Sequence, residues 1–506
     1  MDGKKACDYS EKSSAEKYRE FRKVYPEFIY HGYQVEDTDD ALNICYDFEI
    51  PGLAEFHPAW KFPKKCFGEE ECGSKRDEGL LDKMIFSLGM VELVSYWKIT
   101  CSPKVVVRAG RLDAEQILWW KNLYFHGLGE FFYVNRIDEA GIGDFMEIAA
   151  ELPEEGTGEN GLAARRSDDG MRRMKENADV DKEGEGQFGG PLEKCRVLVP
   201  IGGGKDSAVT LELLKEAKAD IWGYVINPRG ATVKTAEVAG IEEGKRVYVG
   251  RTLDKEMLEL NRKGFLNGHT PFSAIVAFSS LLAAKLYGIP FIALSNESSA
   301  NESTVQGSTV NHQYSKSFQF EKDFHEYVRR YLPGGSYYFS MLRPLSEFQI
   351  AGYFSACKEY HSVFRSCNVG SKKDEWCGHC PKCLFVAAIL SPFLSAEELE
   401  GIWGRNLLDD ESLWGTLEQL IGIQEEKPFE CVGSRREVNA ALVLAVERFG
   451  EGERLPKLLE NYRTTPQYEA ARRLGDVYSN YFDEDNLVPG AWKELVRRRC
   501  TGRSVK

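Results

Sequence analysis

The segment Val197-Leu-Val-Pro-Ile-Gly-Gly-Gly-Lys-Asp-Ser207 is the part of the sequence most informative about the fold. A short apolar run ends in three glycines, and a polar trio comes directly before the apolar spacing of a helix that begins near Ala208. Glycines permit a sharp turn and let backbone N–H groups approach an anion, and the N-terminus of the following helix adds partial positive charge. Lys205 and Ser207 supply further donors. The segment therefore predicts a strand, an anion-binding turn and a helix.

Three phosphate-binding motifs compete for this turn. The Walker loop requires serine or threonine after its lysine, but Asp206 follows Lys205, and the dinucleotide motif would require a third glycine at Ser207. The segment instead resembles the S-G-G-x-D-S loop of the PP-loop ATP pyrophosphatases, which cleave ATP between its α- and β-phosphates. It departs from that loop at Gly202, where the family has serine. The resemblance implies that ATP is held by Gly202, Gly203, Gly204, Lys205, Asp206 and Ser207; a glycine turn that binds nothing is the alternative.

Outward from this turn, apolar runs alternate with helical spacing. RVLVPI (196–201), DIWGYVI (220–226), RVYVG (246–250) and PFIALS (290–295) are predicted strands. Strands that alternate with helices of this length predict an α/β fold with a parallel sheet covered on both faces. Ligands bind such sheets at the carboxyl ends of the strands. We therefore expect Asn227 near adenine and ribose, and Asn296 and Glu297 near Mg²⁺, although a merely polar loop is the alternative at 295–302.

Composition divides the chain into four parts. Residues 1–150 are rich in aromatics and predict a separate α+β domain, with paired strands at 28–37 and 41–50 and helices at 80–97 and 114–134. Residues 151–190 are rich in Gly, Glu, Asp and Lys, which predicts a flexible linker. Residues 191–320 form the predicted nucleotide-binding domain, and residues 321–506 a mostly helical region around a cysteine-rich loop.

Charge and cysteine usage limit the possible partners. The 506 residues include 65 Lys and Arg against 79 Asp and Glu, so the net charge of −14 disfavours a nucleic-acid partner. The most apolar stretch, 271–294, is interrupted by Gly288-Ile289-Pro290, which predicts a buried helix and strand rather than a membrane span. Thirteen cysteines without a secretory signal indicate reduced thiols. We expect a soluble cytoplasmic protein without a membrane partner; the oligomeric state stays open.

Four cysteines, Cys367, Cys377, Cys380 and Cys383, crowd into seventeen residues in a C-x9-C-x2-C-x2-C pattern. Four thiolates can close a tetrahedral shell around Zn²⁺, and such a closed shell is usually structural. An iron–sulfur cluster is the main alternative, because C-x2-C-x2-C also occurs in ferredoxin-type loops. A third possibility is that the four thiols bind no metal and are inert. We expect a structural zinc.

A series of motifs carries a family resemblance. In order they are FSLGMVELVSYWK and WWKNLYFHGLGEFFY, the glycine turn, HTPFSA at His269, LSNESSANE, NHQYSKSFQFE at Asn311, FRSCN, WCGHCPKC, GRNLLDD and KPFECVG at Lys427. This order resembles the bacterial UDP-N-acetylmuramoyl-L-alanyl-L-glutamate epimerase family, the MurL family. The resemblance implies an ATP- and Mg²⁺-dependent enzyme that converts UDP-MurNAc-L-Ala-L-Glu to its D-glutamyl epimer through an acyl-adenylate.

Site roles follow from that resemblance. Lys205 and Asp206 would act at the phosphates, and His269 or His312 would serve as the acid–base group because histidine titrates near neutrality. Tyr314, or Cys367 if it binds no metal, could act on the opposite face. We expect Tyr314, Lys316, Arg343 and Arg365 to contact the substrate, with surface ion pairs as the alternative for the cations. The competing functions are a PP-loop ligase or tRNA- or deazaguanine-modifying enzyme, and a nucleotide-binding protein without activity.

Overall fold

The structure is a computed structural model that describes residue 9 and residues 11–64, 78–150, 192–301, 314–370, 372–450 and 454–502. Its strands are β1 (Glu27–Asp37), β2 (Ala41–Ile50), β3 (Ala54–Phe56), β4 (Ala59–Pro63), β5 (Lys104–Val107), β6 (Glu147–Ala150), β7 (Arg196–Pro200), β8 (Asp220–Ile226), β9 (Arg246–Thr252), β10 (Phe291–Leu294) and β11 (Tyr337–Ser340). The predicted linker at 151–190 lies outside the described residues.

The α-helices of the same residues number seventeen. They are α1 (Ser14–Val24), α2 (Glu78–Trp97), α3 (Ala114–Gly127), α4 (Gly129–Val134), α5 (Lys205–Glu216), α6 (Gly230–Val238), α7 (Lys255–Arg262), α8 (Phe272–Tyr287), α9 (Phe318–Tyr331), α10 (Glu347–Phe354), α11 (Pro381–Leu390), α12 (Ala396–Trp403), α13 (Trp414–Ile421), α14 (Arg435–Gly450), α15 (Lys457–Arg463), α16 (Pro466–Leu474) and α17 (Gly490–Cys500). None of these helices is both long and apolar enough to cross a membrane.

The four predicted strands after residue 195 form, with β11, a parallel sheet in the order β9-β8-β7-β10-β11. The chain places β8 and β9 on one side of β7, and β10 and β11 on the other. The order therefore reverses between β7 and β10, and this switch point is where such sheets leave a crevice at the carboxyl ends of their strands. Strand β11 was not predicted, and it lies beyond residue 320, the expected end of this domain.

Alternating side chains of the parallel strands supply two hydrophobic cores. Val197 and Val199 of β7 face the core shared with α5, α10, α11 and the C-terminal helices. Leu198 faces the other core, which α2, α3, α8 and α9 form together with the N-terminal strands. Because successive side chains of a strand point to opposite faces, an apolar run is stable only where both faces are covered. The predicted covering of both faces is therefore confirmed.

The N-terminal strands continue the same sheet, although sequence analysis predicted a separate domain. The expected pair β1–β2 is antiparallel, and β4 joins β2 to the parallel half by pairing antiparallel with β9. Within the part of the chain that the structure describes, the result is a mixed eleven-stranded sheet. Pairing β9 with β4 satisfies backbone groups that an exposed edge strand would leave open.

A buried ion pair lies at this junction. The Arg251 guanidinium on β9 donates to both carboxylate oxygens of Glu92 on α2, at 3.0 and 2.6 Å, and the indole N–H of Trp60 on β4 donates to the same carboxylate at 3.2 Å. Glu92 has no exposed surface. The pair therefore ties α2 to both strands of the junction.

We expect Glu92→Ala to lower the free energy of unfolding by about 3–5 kcal/mol, because it leaves the Arg251 charge buried without its partner. Urea denaturation of the full chain measures this loss. The matched control is Glu326→Ala, which removes the exposed Glu326–Arg329 pair on α9 and should cost at most about 1 kcal/mol. Equal losses in the two variants would contradict a structural role for the buried pair.

Candidate functional site

The glycine turn after β7 has the tight geometry that its sequence predicts. Gly203 has a φ of +79°, and a Cβ there would lie 3.1 Å from the backbone N of Thr232 on α6. Gly204 is the N-cap of α5. The Gly202 N–H donates to the Ser207 hydroxyl at 3.0 Å, so Ser207 braces the turn from within. The turn therefore leaves no room for side chains at its centre.

Lys205 points into a buried acidic cluster. Its ammonium contacts the carboxylates of Asp206 and of Glu347, the first residue of α10. Burial alone would lower the pKa of Lys205, but the two carboxylates outweigh burial and leave this pKa raised. Lys205 is therefore positively charged, and it is held at the carboxyl edge of the sheet.

Three carboxylates converge beside this lysine. Each of Asp206, Glu297 and Glu347 offers an oxygen, and these oxygens all lie within 4.8 Å of one another. They follow β7, β10 and β11 respectively, so the switch point brings them together. Glu297 and Glu347 are only 5% and 3% exposed, and burial raises the pKa of both. Carboxylates so close together suit a divalent cation, and Mg²⁺ prefers such oxygen ligands.

Lys316 reaches the same cluster from the short helical turn Tyr314–Lys316. Its ammonium donates to the Cys431 sulfur at 3.0 Å. Burial opposes the charge of Lys316, but Cys431 and Glu297 outweigh it and raise the lysine pKa. The predicted contact of Lys316 with a substrate stays a prediction, while its place beside the carboxylates is a feature of the structure.

Arg343 lies beneath the cluster and not in it. The side chain has no exposed surface and forms an ion pair with Glu321 at 3.0 Å. It also donates to the backbone carbonyls of Glu297 and Lys316. This position differs from the substrate contact expected from the sequence, because each nitrogen of the guanidinium is engaged by the protein. Arg343 therefore positions two segments of the site.

The segment before the first clustered cysteine covers the glycine turn. The Arg365 N–H donates to the Gly203 carbonyl at 2.7 Å, and a Cβ on Gly204 would lie 2.7 Å from the Ser366 hydroxyl. The Arg365 guanidinium donates to the carbonyls of Ser362, Phe364 and Asp374. Arg365 thus braces the turn through its backbone. Ser366, which limits the space beside Gly204, was not predicted as a site residue from the sequence.

The four clustered cysteines meet at one point. Their sulfurs lie within 4.8 Å of one another, with Cys380–Cys383, Cys377–Cys383 and Cys367–Cys380 separations of 3.5, 3.7 and 3.8 Å. Sulfurs bound tetrahedrally to zinc at 2.3 Å would be about 3.8 Å apart, whereas a disulfide would require about 2.05 Å. The Cys367 sulfur also accepts the Gly370 N–H at 3.1 Å, as suits a thiolate. The four residues fit a zinc ion.

The cysteine loop also supports α6. The Asp374 carboxylate accepts the Ala231 N–H at 2.6 Å and pairs with Lys234 at 3.2 Å. Because α6 also packs against Gly203, α6 contacts both the cysteine loop and the glycine turn. Asp374 had no signal in the sequence, because its partner lies 143 residues away.

The remaining predicted site residues occupy varied positions. The Asn227 side chain donates to the Arg251 carbonyl and accepts from the Arg251 N–H, each at 2.8 Å, which extends the pairing of β8 with β9. The Asn296 amide donates to the Ser340 hydroxyl at 3.2 Å. Tyr314 is buried and accepts from Asn122 at 3.1 Å. His269 precedes α8, with its Nδ1 atom 3.2 Å from Glu130 of α4. His312 lies outside the described residues. These placements leave the predicted contacts of Asn227, Asn296, Tyr314 and His269 with ligands as predictions.

Buried lysine Lys98 is a further residue that sequence analysis missed. It follows α2 and donates to the Gly268 carbonyl next to His269. Burial lowers the pKa of Lys98 to about 8. Glu347 and Cys431 were also missed, although Cys431 lies in the KPFECVG motif quoted above.

These features define a class: a mixed α/β protein whose parallel sheet carries a glycine turn and a buried carboxylate–lysine cluster at its switch point. Within that class, the chain belongs to the MurL family. Residues 19–341 match the MurL N-terminal domain and residues 360–471 the MurL C-terminal domain. The family resemblance seen in the sequence is thereby confirmed.

Three curated relatives bear the name UDP-N-acetyl-alpha-D-muramoyl-L-alanyl-L-glutamate epimerase. The protein of Xanthomonas oryzae pv. oryzae is 36% identical over 369 residues, which are 71% of this chain and 74% of the relative. That of Micromonospora sp. is 31% identical over 374 residues, 73% of this chain and 76% of the relative. That of Salinispora tropica is 30% identical over 377 residues, which are 73% of this chain and 74% of the relative.

Proposed function

We propose that the protein epimerises the terminal L-glutamyl residue of UDP-MurNAc-L-Ala-L-Glu, using ATP and Mg²⁺ and releasing AMP and pyrophosphate. The product would enter the synthesis of peptidoglycan precursors. The observation that carries the proposal is the carboxylate–lysine cluster at the glycine turn, in a chain whose relatives bear that enzyme's name. The glycine turn resembles that of the PP-loop ATP pyrophosphatases, which supports cleavage between the α- and β-phosphates.

Adenylation explains why an epimerase would need ATP. Removing a proton beside a free carboxylate would create a second negative charge next to the first. An acyl phosphate withdraws electrons, so the neighbouring α-proton becomes acidic enough for a protein base. Protonation on the opposite face inverts the centre, and hydrolysis then releases the D-glutamyl product and AMP.

The residues of the cluster have distinct proposed roles. The N–H groups of Gly203 and Gly204 and the Lys205 ammonium would bind the departing pyrophosphate and stabilise the charge that develops on it. Asp206, Glu297 and Glu347 would hold Mg²⁺, which would neutralise negative charge on the phosphates of ATP. We propose His269 or His312 as an acid–base group. Tyr314 and Arg365 are proposed to contact the substrate.

One incubation tests the proposal. The full chain is mixed with ATP, Mg²⁺ and UDP-MurNAc-L-Ala-L-Glu, and AMP, pyrophosphate and the chirality of the glutamate are measured. We expect AMP and D-glutamyl product together. AMP without D-glutamate would indicate a ligase or a tRNA- or deazaguanine-modifying enzyme, and an absence of AMP would indicate a protein that only binds nucleotide.

We propose a structural zinc at the four cysteines, with about one ion per chain as in closed four-cysteine sites. Metal analysis should find zinc, and the purified protein should lack visible absorbance. Cys383→Ser should lose the metal and loosen α6, so proteolysis near residues 230–238 should accelerate. Cys195→Ser is the matched control and should keep its zinc. Iron with broad visible absorbance would contradict the assignment.

A further inference from the structure

Cys431 and Lys316 form a thiol–ammonium pair at the edge of the carboxylate cluster. Their contact is 3.0 Å, and both side chains are partly buried. An adjacent ammonium favours the thiolate form of a cysteine. The sulfur can therefore accept a proton, and the adjacent ammonium stabilises its negative charge.

The structure fixes this pair relative to the proposed metal ligands. One guanidinium, that of Arg343, donates to the backbone carbonyls of both Lys316 and Glu297. The turn that carries Lys316 and the loop that carries Glu297 are therefore held side by side. The charges of Lys316 and Cys431 also act on the buried Glu297 carboxylate. The sulfur therefore lies near Glu297, one of the three carboxylates proposed to hold the metal.

The other groups of the cluster are poorly suited to accept a proton from carbon. The ammonium groups of Lys205 and Lys316 are already engaged by anionic partners, Lys205 by the Asp206 and Glu347 carboxylates and Lys316 by the Cys431 sulfur. The carboxylates of Asp206, Glu297 and Glu347 surround Lys205 and suit a cation. A thiol has an ordinary pKa of about 8.5, closer to neutrality than that of a lysine ammonium, and Cys431 is not one of the three carboxylates that suit the cation. Cys431 is therefore the member of this cluster best matched to proton transfer.

We propose that the Cys431 thiolate is the catalytic base that removes the α-proton of the adenylated glutamyl residue, with Lys316 as the positioning residue whose ammonium contacts the sulfur. This inference rests on the proposed function. The α-carbon–hydrogen bond breaks, its electron pair is delocalised onto the acyl oxygen, and the proton forms an S–H bond. A second acid, or water, then delivers a proton to the opposite face, and the thiol returns its own proton to solvent.

The test separates proton transfer from adenylation. Wild type, Cys431→Ser and Cys431→Ala are incubated with ATP, Mg²⁺ and UDP-MurNAc-L-Ala-L-Glu in D₂O. We expect both variants to lose at least about 100-fold in D-glutamate formation and in deuterium incorporation at the α-carbon. Pyrophosphate release should persist, at least as a single-turnover burst. Cys45→Ser, which removes a partly buried thiol on β2, is the matched control and should behave like wild type.

Several results would overturn the inference. Normal D-glutamate formation by Cys431→Ser would show that the sulfur is dispensable, and loss of pyrophosphate release in both variants would assign Cys431 to adenylation. A glutamyl adduct on the Cys431 peptide during turnover would show a nucleophile instead of a base. If wild type itself releases no AMP, the proposed function fails, and this inference fails with it; the wild-type arm thus identifies which of the two is wrong.

A second measurement does not depend on turnover. The rate at which iodoacetamide alkylates Cys431 is followed by peptide mass spectrometry, with the Cys45 peptide as internal reference. We expect Lys316→Gln to slow alkylation of Cys431 and not of Cys45, because the thiolate loses its counter-ion. An unchanged rate would contradict the positioning role of Lys316.

Discussion

Replacing Lys205 with methionine should lower pyrophosphate release at least about 100-fold, the usual effect of removing one donor that stabilises developing charge in a transition state. Lys205 is the cation of the glycine turn, and it is fully charged inside the cluster. Methionine keeps much of the length and apolar stem of lysine, so packing beneath the turn is largely preserved. Release of pyrophosphate from ATP, measured with saturating substrate and Mg²⁺, is the assay.

The same helix offers the control. Lys215→Met removes an exposed lysine of α5 that pairs with Glu212 at 2.8 Å. This variant should release pyrophosphate at the wild-type rate and unfold at nearly the same urea concentration. If Lys205→Met were as active as Lys215→Met, the glycine turn would not be the site where phosphate charge is stabilised.

The parallel half of the fold was predictable because its signals are local. RVLVPI, DIWGYVI, RVYVG and PFIALS are apolar runs bounded by turns, and each lies in or contains an observed strand. Strand β11 is only YYFS, four residues, and was not recognised; β10 is equally short, but it lies within the longer apolar run PFIALS. The pairing of β4 with β9 joins residues that are 189 to 193 positions apart, from Lys61↔Gly250 to Ala59↔Thr252, and no local pattern encodes it.

The candidate site divides in the same way. Asp206 and Glu297 were predictable as neighbours because each follows a predicted parallel strand, and parallel strands end at one edge. Glu347 follows the unpredicted β11, so its carboxylate was missed. Arg343 was expected to contact substrate, since its sequence neighbourhood does not reveal Glu321 at its guanidinium. Cations that bind ligands and cations that brace loops differ only in what the fold places around them.

The second large effect concerns the metal. Glu297→Gln should raise the Mg²⁺ concentration needed for half-maximal pyrophosphate release by at least about 10-fold, since even changes around metal ligands cost 10- to 100-fold in metal affinity. The substitution keeps the shape of the side chain and removes one of three carboxylates whose oxygens lie within 4.8 Å of one another. A Mg²⁺ titration at fixed ATP, with free metal calculated at each point, measures the shift.

A second buried glutamate distinguishes loss of a metal ligand from loss of any buried charge. Glu437 of α14 accepts the backbone N–H groups of Glu347 at 2.7 Å and Ser434 at 2.8 Å, and it is not among the three carboxylates. Glu437→Gln should therefore lower stability and shift the Mg²⁺ requirement less than Glu297→Gln does, because Glu437 contacts a proposed ligand only through its backbone N–H. Only a direct metal ligand makes the Mg²⁺ dependence specific to Glu297. Equal shifts in the two variants, or no shift in Glu297→Gln, would therefore show that the metal does not bind at this cluster. The carboxylates would then serve as counter-ions of Lys205 and Lys316.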